Sequence, residues 1–120
     1  IDTQVLAWFA GGVKRLSGPA TRALADPSNS FAISAVTAYE FADLEKRGRF
    51  SADMPLEGVI TLLRLGVLDF PAEAFRLVDL LPDIHRDPVD RMLVAHAIHD
   101  GLVILTADRV MHRYPVRTIW

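Results

Sequence analysis

The chain has 120 residues, of which 51% are hydrophobic, and a formal net charge of −2 at pH 7. This length suits one domain, and the hydrophobic content supports a packed core, which excludes a disordered chain. No cysteine is present, which excludes disulfides and thiolate chemistry and is as expected of a cytoplasmic protein. No apolar run approaches the roughly 20 residues that cross a bilayer. The net charge gives no basic signal, so any nucleic-acid contact depends on local patches.

Short apolar segments alternate with helical segments along the chain. Ile1-Asp2 is predicted to end a first strand whose earlier residues are missing, in a single domain over residues 1–120. The predicted helices cover residues 3–10, 19–25, 35–47, 55–65, 71–80 and 87–100. The predicted strands cover residues 31–34, 67–70, 102–105 and 116–119. This alternation predicts a three-layer α/β/α sandwich with a mainly parallel central sheet, in which ligands collect at the carboxyl ends of the strands.

The segment 87–91 is predicted to begin a helix. Pro88 suits the first helical position, and Asp90 stands three residues after Asp87, as in a capping arrangement. Asp90 nevertheless falls on the apolar arc of this helix, which comprises Leu93, Val94, Ala97 and Ile98. A carboxylate on that side is costly unless something pairs with it. Two interpretations stay open here, namely a helix cap and an inward charge that binds a cation.

Three other acids stand at positions of the same kind. Asp2 directly follows the first strand, and Asp108 comes just after the apolar run 102–105. Glu40 lies on a largely apolar stripe of the helix that Ser34 is placed to cap. Each acid has an ordinary alternative: Asp2 as a cap, Glu40 as a solvated acid and Asp108 as a turn residue.

Four carboxylates at one edge of a sheet repel one another, so a cation is their natural partner. Ligation by oxygen alone suits Mg²⁺ or Mn²⁺ and not Zn²⁺. Such ions promote phosphodiester hydrolysis without a side-chain nucleophile. The pattern therefore favours a metal-dependent enzyme acting on phosphodiesters.

Four segments of the chain resemble the PIN-domain nucleases, and more narrowly the toxin ribonucleases of VapBC toxin–antitoxin pairs. The matching segments are Ile1–Leu6, Ile33–Glu40, His85–Ala95 and Leu105–Asp108. They occur in the family's order and span essentially the whole chain. The His-x-Asp-Pro-x-Asp-Arg stretch is the specific part of this resemblance, since Asp-Thr or Thr-x-Asp alone is common.

The resemblance implies a single α/β/α domain that cleaves RNA with Mg²⁺ or Mn²⁺. The catalytic and metal-binding quartet would be Asp2, Glu40, Asp90 and Asp108. Residues that orient this quartet would be Thr3, Ser34, Asp87 and Thr106, although Ser34 is equally suited to a capping role. This chain departs from relatives at Leu44, where a lysine is frequent, and at His96, where a glutamine is frequent. His96 is interpreted as a residue of the helix surface.

Basic side chains near the quartet are candidates for contacts with the RNA backbone. The candidates are Arg91, Arg86, Arg109, Lys46 and His85, the last of which is also a candidate for proton transfer. Each of these residues has a simpler interpretation as solvated charge.

The resemblance also implies protein partners. A VapB-type antitoxin would place its tail in the acidic pocket, and apolar surface at Trp8, Phe9, Phe50 and Met54 would receive it or form a homodimer. These four residues are otherwise ordinary core.

Two other functions compete with that of a toxin nuclease. A PIN-like scaffold without catalysis is the main alternative, which the intact quartet disfavours. A phosphatase of the haloacid dehalogenase type requires Asp-x-Asp, whereas this chain has Asp2-Thr3-Gln4.

Overall fold

The computed structural model describes all residues from Ile1 to Trp120 and contains α-helices, short strands and two 3-10 helices. The α-helices are α1 (Thr3–Ala10), α2 (Gly18–Ala25), α3 (Ala35–Lys46), α4 (Leu56–Leu63), α5 (Phe75–Leu80) and α6 (Pro88–His99). The strands are β1 (Ala32–Ser34), β2 (Gly66–Leu68), β3 (Val103–Leu105) and β4 (Arg117–Ile119). The 3-10 helices are Ala72–Ala74 and Met111–Arg113. No helix combines the length and the apolar character needed to cross a bilayer.

The strands pair in parallel, as the sequence predicts, but they form two separate pairs. β1 pairs with β2, with Ile33 opposite Val67, and β3 pairs with β4, with Ile104 opposite Thr118. The predicted α/β class with parallel strands is therefore confirmed.

Ile1 and Asp2 link the two strand pairs. The Ile1 nitrogen donates to the Ala32 carbonyl at 2.9 Å, and the Asp2 amide donates to the Leu105 carbonyl at 3.1 Å. These two residues are not assigned to a strand, but their hydrogen bonds connect β1 with β3. The single domain with an incomplete first strand stays a prediction.

The apolar core is divided into two clusters. The first lies around α1, α3 and α4 and includes the fully buried Leu6, Phe41 and Val59. The second lies around α6 and β3 and includes Val94 and Ile104. β3 contributes to both clusters, Leu105 to the first and Ile104 to the second, and the functional site described below receives residues from both.

Several predicted boundaries shift for local reasons. α1 has its predicted bounds, whereas α4 ends at Leu63 because Arg64 takes a left-handed conformation with φ of 52°. The segment after Pro71 begins as a 3-10 turn over Ala72–Ala74 before α5 starts. β2 begins one residue earlier than predicted, at Gly66, where the Gly66 amide donates to the Phe31 carbonyl at 2.8 Å.

The interpretation of His96 as a surface residue is wrong. Its side chain is 2% exposed, with Nδ1 at 2.9 Å from the Ser34 Oγ and Nε2 at 3.1 Å from the Asp100 Oδ2. The Phe70 ring packs against its edge at 5.6 Å. α6 packs against α3 and β3 as well as α5, so the side of α6 that periodicity marks as polar is also covered. A polar side chain on that side is buried with its hydrogen bonds satisfied.

Candidate active site

Four acids from distant parts of the chain line one open cavity of about 980 Å³. Asp2 precedes α1, Glu40 lies on α3, Asp90 lies in the first turn of α6, and Asp108 follows β3. The structure thus brings together the four residues that the sequence singles out. Thr3 also lines the cavity, whereas Ser34 and Asp87 do not.

Asp2 combines the two roles that the sequence left open. Its Oδ1 accepts a hydrogen bond from the Val5 amide at 2.8 Å, so it caps α1, and it also lines the cavity. Burial raises the pKa of the Asp2 carboxyl, and a hydrogen bond with the Thr106 side chain partly opposes this rise. Asp2 is only 4% exposed, so its negative charge is poorly solvated.

Glu40 is held by a neighbouring hydroxyl. The Thr3 Oγ1 donates a hydrogen bond to the Glu40 Oε2 across the space between α1 and α3. Burial raises the pKa of Glu40, that hydrogen bond opposes the rise, and the negative charges of Asp87 and Asp2 add to it. A hydroxyl that fixes a carboxylate in this way is suited to orienting a metal ligand.

Asp90 is not the cap of α6. The Asp87 Oδ1 accepts from the Val89 amide at 2.8 Å, so Asp87 is the cap, and Asp90 faces the cavity. The pKa of Asp90 is raised to about 6, mainly by burial; His85 opposes the rise, and the charges of Asp87, Glu40 and Asp108 increase it. Of the two interpretations of this helix start, the inward charge describes Asp90 and the cap describes Asp87.

Asp108 is positioned by its own loop. Its Oδ1 accepts from the Val110 amide at 2.7 Å, and its amide donates to the Thr106 Oγ1 at 3.0 Å. The Thr106 hydroxyl therefore fixes the backbone of Asp108 just after β3.

The His85 ring lies between two of the acids. Its Nδ1 is 3.4 Å from the Asp90 Oδ2, and its Nε2 is 3.3 Å from the Asp108 Oδ2. The ring is stacked on Tyr114, with 5.9 Å between centroids and 6° between planes. The sequence places His85 in a loop before α6 but carries no signal for this bridging position, because the pairing depends on a tyrosine 29 residues away.

The basic residues fall into different environments. Arg109 lines the cavity, and so does Arg49, which the sequence analysis missed because no motif marks it. Arg86 and Lys46 are exposed and lie outside the cavity wall. Arg91 donates to the carbonyls of Val78 at 2.7 Å, Leu81 at 3.3 Å and Pro82 at 3.0 Å, so its guanidinium holds the chain before α6.

The donor set fits a hard divalent cation in its chemistry. All four acids offer carboxylate oxygens. Burial, together with smaller contributions from like charges around the cavity, opposes the ionisation of Asp2, Glu40 and Asp90. A divalent ion would relieve this repulsion. In the present arrangement, however, no three acidic or imidazole side chains are close enough together to hold one ion. Ligation of one ion by three or more of them therefore requires side chains to move.

Comparison with known proteins identifies the class. A sequence profile described as the PIN domain matches residues 1–116, so the chain belongs to the PIN-domain family. The chain is also 29% identical over 126 aligned residues to "Ribonuclease VapC22" of Mycobacterium tuberculosis (strain H37Rv). That alignment covers 100% of this chain and 96% of the relative. Both findings confirm the resemblance to VapC-type PIN proteins that the sequence motifs indicate.

Proposed function

We propose that this PIN-domain protein is a divalent-metal-dependent endoribonuclease and the toxin of a toxin–antitoxin pair. The observation that carries the proposal is the meeting of Asp2, Glu40, Asp90 and Asp108 around one open cavity. The full-length similarity to a ribonuclease supports RNA as the substrate. Because RNA is the substrate, we expect the protein to act in the cytoplasm.

The four carboxylates would hold Mg²⁺ or Mn²⁺, which when bound supplies Lewis-acid activation of water and of the scissile phosphate. Thr3 would keep the Glu40 carboxylate oriented. Thr106 would hold the Asp108 backbone in place near Asp2. No side-chain nucleophile is required. We expect hydrolysis to leave a 5′-phosphate and a 3′-hydroxyl.

Arg109 and Arg49 are the basic groups best placed for the RNA backbone, because both line the cavity. Arg86, Lys46 and His85 stay candidates of lower rank, since the first two lie outside the cavity wall and the third faces two carboxylates. Arg91 is proposed chiefly as a structural residue, because its guanidinium is occupied by backbone carbonyls.

The partner in this proposal is a VapB-type antitoxin whose basic side chain enters the acidic cavity, and a homodimer is the expected assembly of the toxin. The residues proposed to receive the partner, Trp8, Phe9, Phe50 and Met54, are partly buried against the first core cluster. Trp8 and Phe50 also belong to the cavity wall, so a partner inserted there would contact them beside the acids. Co-purification of the protein with the product of an adjacent small gene tests this part.

The test of the enzyme proposal is RNA cleavage by the purified chain with Mg²⁺, with Mn²⁺ and with a chelator. We expect cleavage only with a metal ion, and a loss of at least about 100-fold in Asp90→Asn, because a lost ligand weakens both metal binding and activation. Asp79→Asn, an exposed acid on α5, is the matched control and is expected to cleave like the unmodified protein. Equal activity in Asp90→Asn would contradict the assignment.

One observation favours a second candidate, a PIN-like scaffold that does not cut RNA. No three of the acidic side chains converge on one point in the structure. Calorimetric titration with Mn²⁺ separates the two functions: the nuclease binds the ion and cleaves RNA, whereas a scaffold shows no binding at millimolar metal and no cleavage.

A further inference from the structure

The ring of His85 stands where two of the proposed metal ligands face each other. Its two nitrogens are 3.4 Å from Asp90 and 3.3 Å from Asp108. In either neutral tautomer, the ring nitrogen that carries the proton has a carboxylate oxygen within 3.4 Å. The ring therefore lies between two of the carboxylates that are proposed to bind a cation.

Contacts with neighbouring residues hold the His85 ring in this position. The His85 amide donates to the Tyr114 hydroxyl at 2.9 Å, and the two rings stack. The His85 side chain is 13% exposed, and Tyr114 is 4% exposed. Arg91 fixes the preceding residues through the carbonyls of Leu81 and Pro82. Neighbouring residues therefore hold the His85 ring in place, unlike the ring of a freely moving surface side chain.

The contacts of the ring with the acids are nevertheless weak. Both distances exceed the usual range for a charge-assisted hydrogen bond, which is about 2.7–2.9 Å. The buried Nε2 makes no hydrogen bond of acceptable geometry. Asp90 and Asp108 are also 28% and 36% exposed, so solvent screens the attraction. The ring is therefore well placed but loosely attached at its acidic end.

We propose that His85 occupies the place of the metal between Asp90 and Asp108, and that binding of a divalent ion displaces the ring. The inference rests on the proposed function, because it takes the same carboxylates as ligands. The inference explains why Asp90 and Asp108 do not form, with a third acidic side chain, a group that could hold a metal ion in this structure. An ion shared by Asp90 and Asp108 would have to replace the contacts that the His85 ring makes with these two acids.

The experiment compares Mn²⁺ affinity by calorimetry in the unmodified full chain and in His85→Ala at one pH. Removal of an internal competitor is expected to tighten Mn²⁺ binding by about two- to fivefold, the upper part of the range for a partly exposed charge contact. His99→Ala is the control, because His99 lies at the opposite end of α6 and its ring is hydrogen-bonded to Asp100 and not to the site acids. It is expected to bind Mn²⁺ like the unmodified chain.

A second variant keeps the imidazole of His85 and weakens the contacts that hold it in place. Tyr114→Phe removes the hydroxyl that accepts from the His85 amide, and we expect about two- to threefold tighter Mn²⁺ binding. This variant separates displacement of the ring from a simple loss of charge. It also serves if His85→Ala does not fold.

Proton NMR gives a readout that does not depend on affinity. The His85 ring resonances, assigned by their absence in His85→Ala, are expected to move when Mg²⁺ is added, because the ring leaves the face of Tyr114. Resonances of His99 are expected to stay in place. A His85 ring that keeps its chemical shifts in the loaded protein would overturn the displacement.

The remaining outcomes are also decisive. Unchanged affinity in folded His85→Ala overturns the inference, and weaker affinity overturns it by making His85 a ligand. If RNA cleavage remains metal-dependent while the affinities are equal, the displacement is wrong and the nuclease function stands. If neither protein binds Mn²⁺ nor cleaves RNA, both proposals are wrong.

Discussion

Asp90 is the residue at which the structure opposes ionisation most clearly. It lies on α6 facing three other acids, with a pKa of about 6. Its value in an unfolded chain is 3.8, so the folded state binds more protons between these two pH values. The free energy of unfolding therefore falls as the pH rises through this window. Burial of the ionised Asp90 carboxylate therefore lowers the free energy of unfolding at neutral pH.

We accordingly expect the metal-free protein to be more stable at pH 5 than at pH 7.5. Asp90 accounts for about 1 to 2 kcal/mol of this difference, a value reduced from the full shift because the side chain is 28% exposed. Asp90→Asn should remove that share, since an amide does not titrate. Urea unfolding of both proteins at the two pH values measures it, with Asp79→Asn as the control. An unchanged pH dependence in Asp90→Asn would contradict the prediction.

Arg91 gives a prediction about stability at the same scale. Its guanidinium donates to three backbone carbonyls, and Arg91→Ala would leave these acceptors without that donor. We expect a loss of about 1 to 3 kcal/mol on urea unfolding. Arg91→Lys should recover less than half, because an ammonium lacks the planar fork. If Arg91 served only to bind RNA, Arg91→Ala would leave the free energy of unfolding unchanged and would reduce the salt dependence of RNA binding.

α6 is the element that unites the site with the core. Its start was predictable, because Asp87 and Pro88 have distinct capping and first-turn preferences. The inward position of Asp90 was predictable from helical periodicity. The burial of His96 was not, because periodicity assumes one covered side, and here α3, β3 and α5 cover several sides. The position of His85 depends on Tyr114, a contact that no local pattern encodes.

The cap of α6 can be separated from the site by substitution at Asp87. Asp87→Ala should lower the free energy of unfolding by about 1 kcal/mol, whereas Asp87→Ser should preserve it because serine also caps. Removing the Asp87 charge should also lower the pKa of Asp90, since that charge contributes to the rise. Denaturation and carboxyl NMR titration of both variants measure the two effects. Equal stability of the alanine and serine variants would count against the cap.

The whole molecule brings together acids at positions 2, 40, 90 and 108. This convergence could be predicted because the carboxyl ends of parallel strands lie at one edge. The hydrogen bonds of Ile1 to Ala32 and of Asp2 to Leu105 could not be predicted, because they join residues far apart in the sequence and no local pattern encodes them.

At this scale we expect Mg²⁺ to stabilise the fold by mass action. An ion at 100 times its dissociation constant adds about 2.7 kcal/mol, which raises the melting temperature by several degrees. A chelator should reverse the rise, and Asp90→Asn should abolish most of it. Thermal unfolding of both proteins is compared in buffer with Mg²⁺ and in buffer with a chelator. A rise of the same size in Asp90→Asn would show that Mg²⁺ binds elsewhere.

The two core clusters give the proposed ion a mechanical role. Asp2 caps α1 and Glu40 lies on α3, two helices packed in the first cluster, whereas Asp90 lies on α6 in the second. Asp108 follows β3, which contributes Leu105 to the first cluster and Ile104 to the second. An ion held by all four acids would link elements of both clusters. Loss of the ion would remove this link, so backbone amides where the two clusters meet would exchange their hydrogens faster, whereas amides deep inside either cluster would not.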